Sequence, residues 1–257
     1  MATMSGRHAF DDLVAEAEAV AITGWDFSWL DGRAMEERPS WRYFNLVAER
    51  AVAAEAMADL QTGTGSLVAN LPALPPCTVA TEGYRPNLEA AREALLRRGA
   101  HLVHTDEGRP AVPFASSTFD LVVSRHPVRT WWEEIARILR PNGTYLSQQV
   151  GPHSLRGLSE ELMGPLPPGS RRDPEAAAAE AVANGLDVVD LRSERPRTAF
   201  YDIGAIVYLL RLVVWIVPGF TVDRYRDQLL RLHQRIEREC AFETTASRFL
   251  IEARKPG

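Results

Sequence analysis

The sequence has the composition of an ordinary globular protein of moderate size. Its 257 residues are 46% hydrophobic and 25% charged, which excludes a disordered, collagen-like or disulfide-scaffold protein. One domain with added elements is the expectation for this length. The 29 basic and 34 acidic residues give a net charge of −5. That charge disfavours nucleic acid or an anionic membrane as the main partner, because phosphate groups need a basic face.

The sequence carries no signal for secretion, a membrane span or a structural zinc site. Residues 1–12 lack the apolar segment of a secretory signal. The strongly apolar stretch 203–217 is interrupted by Arg211, and as a helix it would span about 22 Å, short of a bilayer core of roughly 30 Å. Cys77 and Cys240 lie far apart, outside any Cys-x-x-Cys motif, and are expected to be buried thiols. We therefore expect a cytoplasmic protein without a metal or a membrane anchor.

Aromatic residues and helical signals mark the first 40 residues. The aromatic positions, around the loop Asp31-Gly32, are Phe10, Trp25, Phe27 and Trp29. A second helix is predicted over residues 41–56, because Phe44, Val47 and Ala51 recur at helical spacing. We interpret residues 1–40 as a helical lid.

From residue 57 onward, short apolar segments alternate with helical ones. Strands are predicted at residues 57–60, 77–81, 101–104, 119–124, 144–150, 186–191 and 245–253. Helices are predicted at residues 87–98, 128–139, 174–184, 200–217 and 222–239. Strands that alternate with helices of about 10–15 residues form right-handed βαβ units with a parallel sheet. The pattern therefore predicts an α/β fold.

Polar segments follow the first three predicted strands, at the edge where open parallel sheets bind ligands. Asp59 is followed by Gly63 and Gly65, and glycines let the backbone approach a ligand closely. Glu82 ends the second strand, where it is placed to bind ribose hydroxyls. The pair Asp106-Glu107 follows the third strand, where a carboxylate accepts from an adenine amino group. The three segments together predict an adenosine-containing cofactor.

The sequence lacks the motifs of two other nucleotide-binding sites. A nicotinamide site favours Gly-x-Gly-x-x-Gly, but counting from Gly63 the third glycine position holds Val68. The sequence also has no Gly-x-x-x-x-Gly-Lys-Ser/Thr segment, which excludes a P-loop.

The order of these elements resembles a class I S-adenosylmethionine-dependent methyltransferase, over roughly residues 55–150 and the closing strands. The segments that carry the resemblance are 58–65 (motif I), 81–84, 112–114 with 118–123, and 138–144. The last two are the most specific and are typical of the methyltransferase-11-like, small-molecule branch. The sequence departs from the family at Gln61, which stands where the first glycine of motif I is usual.

The resemblance implies a Rossmann-like fold in a single domain of residues 1–257. It implies a seven-stranded, mostly parallel sheet with an antiparallel last strand and helices on both faces. Residues 41–196 and 241–257 would form this core. Residues 1–40 would form the helical lid, and residues 197–240 a helical cap.

The resemblance also implies S-adenosyl-L-methionine as the cofactor. The residues implied to bind it are Asp59, Gln61, Thr62, Gly63, Gly65, Glu82, Gly83, Tyr84, Asp106, Glu107, Ser124 and Arg125. Motif I would line the methionine, Glu82 the ribose, and Asp106 or Glu107 the adenine. For Gln61 three alternatives stay open: its side chain is accommodated, donates to the cofactor's carboxylate, or weakens binding.

Methyl transfer is an in-line displacement that needs alignment, exclusion of water and at most one proton acceptor. His126 is the candidate base, because it follows the fourth strand near the expected methyl group. The alternative is a histidine held by hydrogen bonds within its loop.

Candidate acceptor-binding residues lie at the ends of the later strands and in the predicted lids. They are Trp29, Trp131, Gln148, Gln149, His153 and Tyr201. Together with Trp25, Tyr208 and Trp215, several of them would form an aromatic lid. The apolar helix 203–217 would then cover the substrate, or pack against a second copy in a homodimer.

The expected function is methylation of a small, apolar or aromatic molecule at oxygen, nitrogen or carbon. Methylation of RNA is an alternative, for which Arg97-Arg98 and Arg171-Arg172 leave room for a basic patch. A second alternative is a methyltransferase-like protein that binds a ligand or a partner without catalysis, which the Gln61 substitution favours.

Overall fold

A computed structural model describes residues 4–106, 108, 111–167 and 172–257 of the chain. Its contacts divide the chain into two compact units. The first unit comprises Met1–Arg38, His153–Ser170 and Arg195–Ser247, and the second Pro39–Pro152, Arg171–Glu194 and Arg248–Gly257. The predicted core includes residues 153–170, 195–196 and 241–247, which lie in the first unit, and the predicted lid includes residues 39–40, which lie in the second. The single-domain assignment itself stays a prediction.

The described residues form short strands and helices along the whole chain. The strands are β1 (Ala34–Glu36), β2 (Ala56–Asp59), β3 (Cys77–Glu82), β4 (His101–His104), β5 (Phe119–Arg125), β6 (Leu139–Val150), β7 (Asp187–Glu194), β8 (Arg197–Phe200), β9 (Phe242–Thr245) and β10 (Arg248–Arg254). The helices are α1 (Met4–Ala19), α2 (Tyr43–Ala53), α3 (Ser66–Asn70), α4 (Leu88–Leu96), α5 (Trp132–Ile138), α6 (Arg156–Met163), α7 (Pro174–Ala183), α8 (Ile203–Leu212) and α9 (Arg226–Glu239).

The second unit is built on a seven-stranded sheet in the order β4-β3-β2-β5-β6-β10-β7. The pairs from β4 to β6 are parallel, whereas β10 pairs antiparallel with both β6 and β7. The predicted fold class, with its antiparallel last strand, is therefore confirmed. The strand order reverses between β2 and β5, which makes that gap the switch point where open α/β sheets bind ligands.

Helices cover both faces of this sheet, as predicted. In β5, Leu121 and Val123 pack in one core with α2, α3 and α4, and Val122 packs in another core with α5. This alternation follows from the two-residue period of a strand, and it explains why the central strands are apolar without interruption. We call these two sides of the sheet the α2 face and the α5 face.

The first unit has its own core around α8 and a three-stranded antiparallel sheet in the order β1-β8-β9. Every residue of α8 except Arg211 is buried. The Arg211 guanidinium accounts for this exception, because it donates to the carbonyls of Ala17 and Val20 near the end of α1. The helix is apolar because it forms the centre of its own unit.

Several element bounds differ from the predicted ones. Helix α8 ends at Leu212 rather than at residue 217, and the predicted start at residue 200 belongs to β8. Helix α5 begins at Trp132, which leaves residues 128–131 as a loop. The predicted last strand spans parts of both β9 and β10. The three-stranded sheet was missed because its strands of three and four residues are too short to show a period.

Two further features bear on the sequence expectations. Cys77 and Cys240 are both exposed, so the expectation of buried thiols was wrong. Among the described residues, no helix is both long enough and apolar enough to cross a bilayer. The same residues contain no group of three metal-binding side chains placed to hold an ion.

Candidate functional site

The motif I turn follows β2 at the switch point of the sheet. Gly63 and Gly65 both have left-handed backbone angles, with φ of 65° and 77°. A Cβ atom at Gly65 would lie 3.3 Å from the carbonyl oxygen of Ala91 on α4, so the turn packs too closely for a side chain. At Gly63 nothing lies within 4 Å of the same position. The turn therefore packs against α4 at Gly65, and the space beside Gly63 is open.

The Glu82 carboxylate holds the ends of β2 and β3 together. Its Oε2 accepts from the backbone N–H of Gly63 at 2.6 Å, and its Oε1 accepts from those of Gly83 at 2.9 Å and Tyr84 at 2.7 Å. Burial raises the pKa of Glu82, while these amides oppose the shift. The predicted ribose-binding acid thus also positions the backbone around it.

Asp59 is a buried carboxylate with one oxygen left without a partner. Its Oδ2 accepts from the Thr62 hydroxyl at 2.6 Å, whereas its Oδ1 has no hydrogen bond and the residue is 1% exposed. Burial raises the pKa of Asp59 to about 7. A buried acceptor without a donor, beside the open space at Gly63, fits the ammonium group of S-adenosylmethionine.

The predicted adenine side is only partly described. Asp106 follows β4 and is exposed, and its Oδ1 accepts from the Gly108 N–H at 2.8 Å. Glu107 lies outside the described residues, as does Arg171 of the proposed basic patch. Tyr84 is 38% exposed beside the Glu82 loop. The roles of Asp106 and Tyr84 toward adenine stay predictions.

Gln61 bridges the two strands of the switch point. Its Nε2 donates to the carbonyl of Arg129 at 2.7 Å, and its Oε1 accepts from the N–H of Val128 at 2.8 Å. Gln61 follows β2, and the loop that it contacts follows β5. The backbone of Gln61 has φ of 58°, the left-handed region where glycine is usual. The side chain therefore lies across the crevice in which ligands of such sheets bind.

We expect Gln61→Gly to bind S-adenosylhomocysteine about thirtyfold more tightly, because a ligand in the crevice would no longer displace two hydrogen bonds worth roughly 1 kcal/mol each. Isothermal calorimetry measures the change. Gln61→Asn is the matched control, since its amide tolerates the left-handed backbone but is too short for the bridge, and we expect it to behave like the glycine variant. Weaker binding by both variants would show instead that the amide contacts the cofactor.

His126 is held by a chain of hydrogen bonds that fixes its proton. The indole N–H of Trp41 donates to Gln148 Oε1 at 2.8 Å, so the Gln148 amide nitrogen faces His126 Nε2 at 3.0 Å. An indole nitrogen only donates and an amide nitrogen only donates, so Nε2 accepts and the proton of the neutral ring is on Nδ1. Burial lowers the pKa of His126 well below its usual range, and Arg248, Arg125 and Arg172 lower it further.

This arrangement favours a donor role for His126 over that of a base, and its part in catalysis stays a prediction. The lone pair of Nε2 is used by Gln148, and Nδ1 carries a proton, so the ring offers a donor rather than a base. Its backbone N–H also donates to the Gln148 carbonyl at 2.7 Å. The alternative of a histidine held by hydrogen bonds is the one that the geometry favours.

Ser124, which was expected to bind the cofactor, lies inside the sheet instead of at its edge. Its hydroxyl is 2.6 Å from the Tyr145 hydroxyl and 3.0 Å from that of Ser147, and the residue is 1% exposed. Its carbonyl accepts from the Tyr43 hydroxyl at 2.9 Å. Arg125, one residue later, is exposed and makes no hydrogen bond or ion pair with the described residues. Of this pair, only Arg125 is accessible to a ligand.

The candidate acceptor residues of the second unit fall on opposite faces. Gln148 lies on the α2 face, bonded to Trp41. Gln149 bonds to the Thr130 hydroxyl, and Trp131 packs against the α5-face core. They are thus not brought together around one acceptor. Trp41 was missed as a site residue, because only its contact with Gln148, distant in sequence, reveals its role.

The remaining candidates belong to the first unit. Trp29 packs against Tyr208 with 5.0 Å between ring centroids, and the Arg33 guanidinium lies 4.1 Å from its ring. Tyr201 is 42% exposed, and His153 Nδ1 is 3.2 Å from a nitrogen of the Arg156 guanidinium. A part for Trp29, Tyr201 or His153 in acceptor binding stays a prediction.

Comparison with known proteins identifies the same region of the chain. Residues 58–147 match the family model described as "Methyltransferase domain". This match includes motif I, Glu82 and His126. No curated protein matches the sequence significantly.

Solved structures share the fold at low sequence identity. The YcgJ protein from Bacillus subtilis superposes with a TM-score of 0.60 at 15% identity, over 84% of this chain and 99% of that one. The [4+2]-cyclase SpnF gives 0.52 at 16% identity, over 98% and 95%. A phosphoethanolamine N-methyltransferase from Haemonchus contortus, solved with S-adenosylhomocysteine, gives 0.50 at 15% identity, over 84% and 53%. Residues 58–147 are thus similar to a methyltransferase domain, and the chain shares the fold of these solved structures.

Proposed function

We propose that the protein is an S-adenosylmethionine-dependent methyltransferase that acts on a small molecule, bound at the switch-point crevice beside the cofactor. The observation that carries the proposal is the site formed by Asp59 and Glu82 around the open turn at Gly63. Two carboxylates and an accessible backbone suit a nucleoside that bears a cationic amino acid. The net charge of −5 supports a small acceptor over RNA, whose phosphates need a basic surface.

The residues at the crevice suit binding and alignment more than proton transfer. S-adenosylmethionine, when bound, supplies a methyl group on a positively charged sulfur. Asp59 would hold its ammonium group and Glu82 its ribose hydroxyls. No base is required for acceptors with a free lone pair, and the Nδ1–H of His126 fits a donor that orients the acceptor.

The experiment has two steps. Calorimetry with S-adenosylmethionine and S-adenosylhomocysteine first measures cofactor binding, for which we expect micromolar affinity. Methyl-labelled cofactor is then incubated with the protein and, separately, with a small-molecule cell extract and with total RNA. We expect label in the small-molecule fraction. Label in RNA alone would establish the RNA alternative, and absence of cofactor binding up to millimolar concentration would exclude both enzymatic functions.

A second candidate function is ligand binding without methyl transfer. The Gln61 bridge favours it, because the amide lies where a cofactor enters the crevice. In the same assay this candidate predicts bound label without transfer to either fraction. An apolar or aromatic acceptor, the homodimer and the cytoplasmic location remain predictions from the sequence.

A further inference from the structure

Three neighbouring strands of the second unit direct polar side chains from the same face, at the edge of the sheet where β5 and β6 end and β10 begins. Arg125 at the end of β5 is the register partner of Gln148 on β6, which in turn is the partner of Leu250 on β10. Arg248 lies two residues before Leu250, opposite Val150, and so shares its face. Leu250 belongs to the α2-face core. Arg125, Gln148 and Arg248 therefore extend from the α2 face over about 10 Å of strand spacing.

Charge is divided between the two sides of the switch point. The strands β2 and β3 end in carboxylates, Asp59 and Glu82. The strands on the other side carry cations at the same edge, Arg125 and Arg248. The whole chain is acidic, so this group of cations is a local feature and not a consequence of composition.

The His126 ring, which follows Arg125 in the chain, also offers a hydrogen-bond donor. The Trp41–Gln148–His126 chain leaves the His126 ring with Nδ1–H and without a free lone pair. Two acids lie near these cations on this face. Asp59 is the register partner of Val123, two residues before Arg125; burial raises the pKa of Asp59, and the Arg125 charge lowers it. Glu194 is the register partner of Arg248 on β7. Its carboxylate accepts from the backbone N–H of Ser40 at 2.9 Å and from the Ser40 hydroxyl. The β5 end of the edge therefore presents donors and positive charge to a ligand.

We infer that the acceptor molecule carries an anionic group, a carboxylate or a phosphate, which binds the Arg125 guanidinium and the Nδ1–H of His126. The inference rests on the proposed function, because it names the chemical class of the acceptor at the same crevice. A planar guanidinium binds both kinds of anion through paired hydrogen bonds. The acceptor would thus lie on the cationic side of the switch point, and the cationic cofactor on the acidic side.

The probes are benzoate, phenyl phosphate and the neutral benzamide, titrated into the protein with and without saturating S-adenosylhomocysteine. Binding is followed by calorimetry and by the imidazole nitrogen resonances of His126. We expect millimolar binding of at least one anion, at least tenfold weaker binding of benzamide, and a resonance change at Nδ1. A response to benzoate alone identifies a carboxylate site, and a response to phenyl phosphate alone a phosphate site.

Arg125→Gln should weaken anion binding at least fivefold, both with and without S-adenosylhomocysteine. Arg92→Gln is the matched control, since it removes the same charge from an exposed position on α4. Equal binding of benzamide and both anions, or equal losses in the two variants, would overturn the inference even where S-adenosylhomocysteine binds. Failure to bind S-adenosylhomocysteine would instead overturn the proposed function, and the titrations without it still decide on the anion site.

Discussion

Replacing Glu82 by alanine is expected to destabilise the protein by roughly 3–4.5 kcal/mol, because three partly buried amide groups lose their acceptor at about 1–1.5 kcal/mol each. The amides are those of Gly63, Gly83 and Tyr84. Such a loss is a large share of a typical total stability of about 5–15 kcal/mol. Urea unfolding monitored by circular dichroism measures it. Cofactor binding should be lost as well, because the motif I turn is no longer tied to β3.

Glu82→Gln separates the structural role of this residue from its charge. The amide oxygen still accepts from Gly83 and Tyr84, but the amide nitrogen then faces the N–H of Gly63. We expect a smaller loss, about 1–3 kcal/mol, from that single pair of opposed donors. Glu93→Ala, which removes an exposed acid paired with Arg97 on α4, is the control and should change stability by less than about 1 kcal/mol. A loss that small in Glu82→Ala would contradict the proposed hydrogen bonds.

Asp59 is expected to make the ligand-free protein less stable as the pH rises from 4 to 7. Burial raises its pKa from the ordinary value of 3.8 to about 7, so between these values the folded state holds a proton that the unfolded state has released. Stability falls with pH wherever the folded state binds more protons, here by on the order of 4 kcal/mol in total. Asp59→Asn has no such proton and should lose this part of the pH dependence. The measurement is the free energy of unfolding in urea at pH 4.5, 6 and 7.5, for the unsubstituted protein and for Asp59→Asn.

The same titration affects ligand binding. A cationic group beside Asp59 favours the ionised carboxylate, so binding of S-adenosylhomocysteine should release a proton near pH 7, and its affinity should rise with pH through this range. Calorimetry in buffers of different ionisation enthalpy counts the proton. Asp59→Asn should bind the ligand more weakly and release no proton. An unchanged proton count in this variant would assign the proton to another group.

The parts of the site that depend on local pattern were predictable from the sequence. Gly63, Gly65 and Glu82 follow strands whose apolar character is evident, and the sheet edge brings strand ends together by topology alone. The tautomer of His126 was not predictable, because it depends on Trp41, a residue of another segment. Ser124 was placed at the edge because the predicted strand ended there. Strand β5 continues to Arg125, and alternation along the strand directs the Ser124 hydroxyl to the α5 face, toward Tyr145.

The first unit was the least predictable part. Its short strands lack a recognisable period, and its apolar helix α8 has the same composition as a substrate cover or a dimer interface. Only the structure distinguishes these interpretations of α8, because it shows the Arg211 guanidinium bound to the end of α1 within the same unit. The sequence does not indicate which distant group a single charged residue in an apolar helix binds.

The position of β10 has a consequence for how the chain folds. Strand β7 is hydrogen-bonded only to β10 in the described sheet, and residues 195–247 separate the two in sequence. Closing a loop of that length slows folding when the loop is unstructured. Within it, however, β8 pairs with β9, and the N–H of Ala246 donates to the carbonyl of Pro196, which brings the ends of the segment together. Because Pro196 and Ala246 are joined in this way, the effective loop between Glu194 and Arg248 is short, which lowers the entropy cost of pairing β7 with β10.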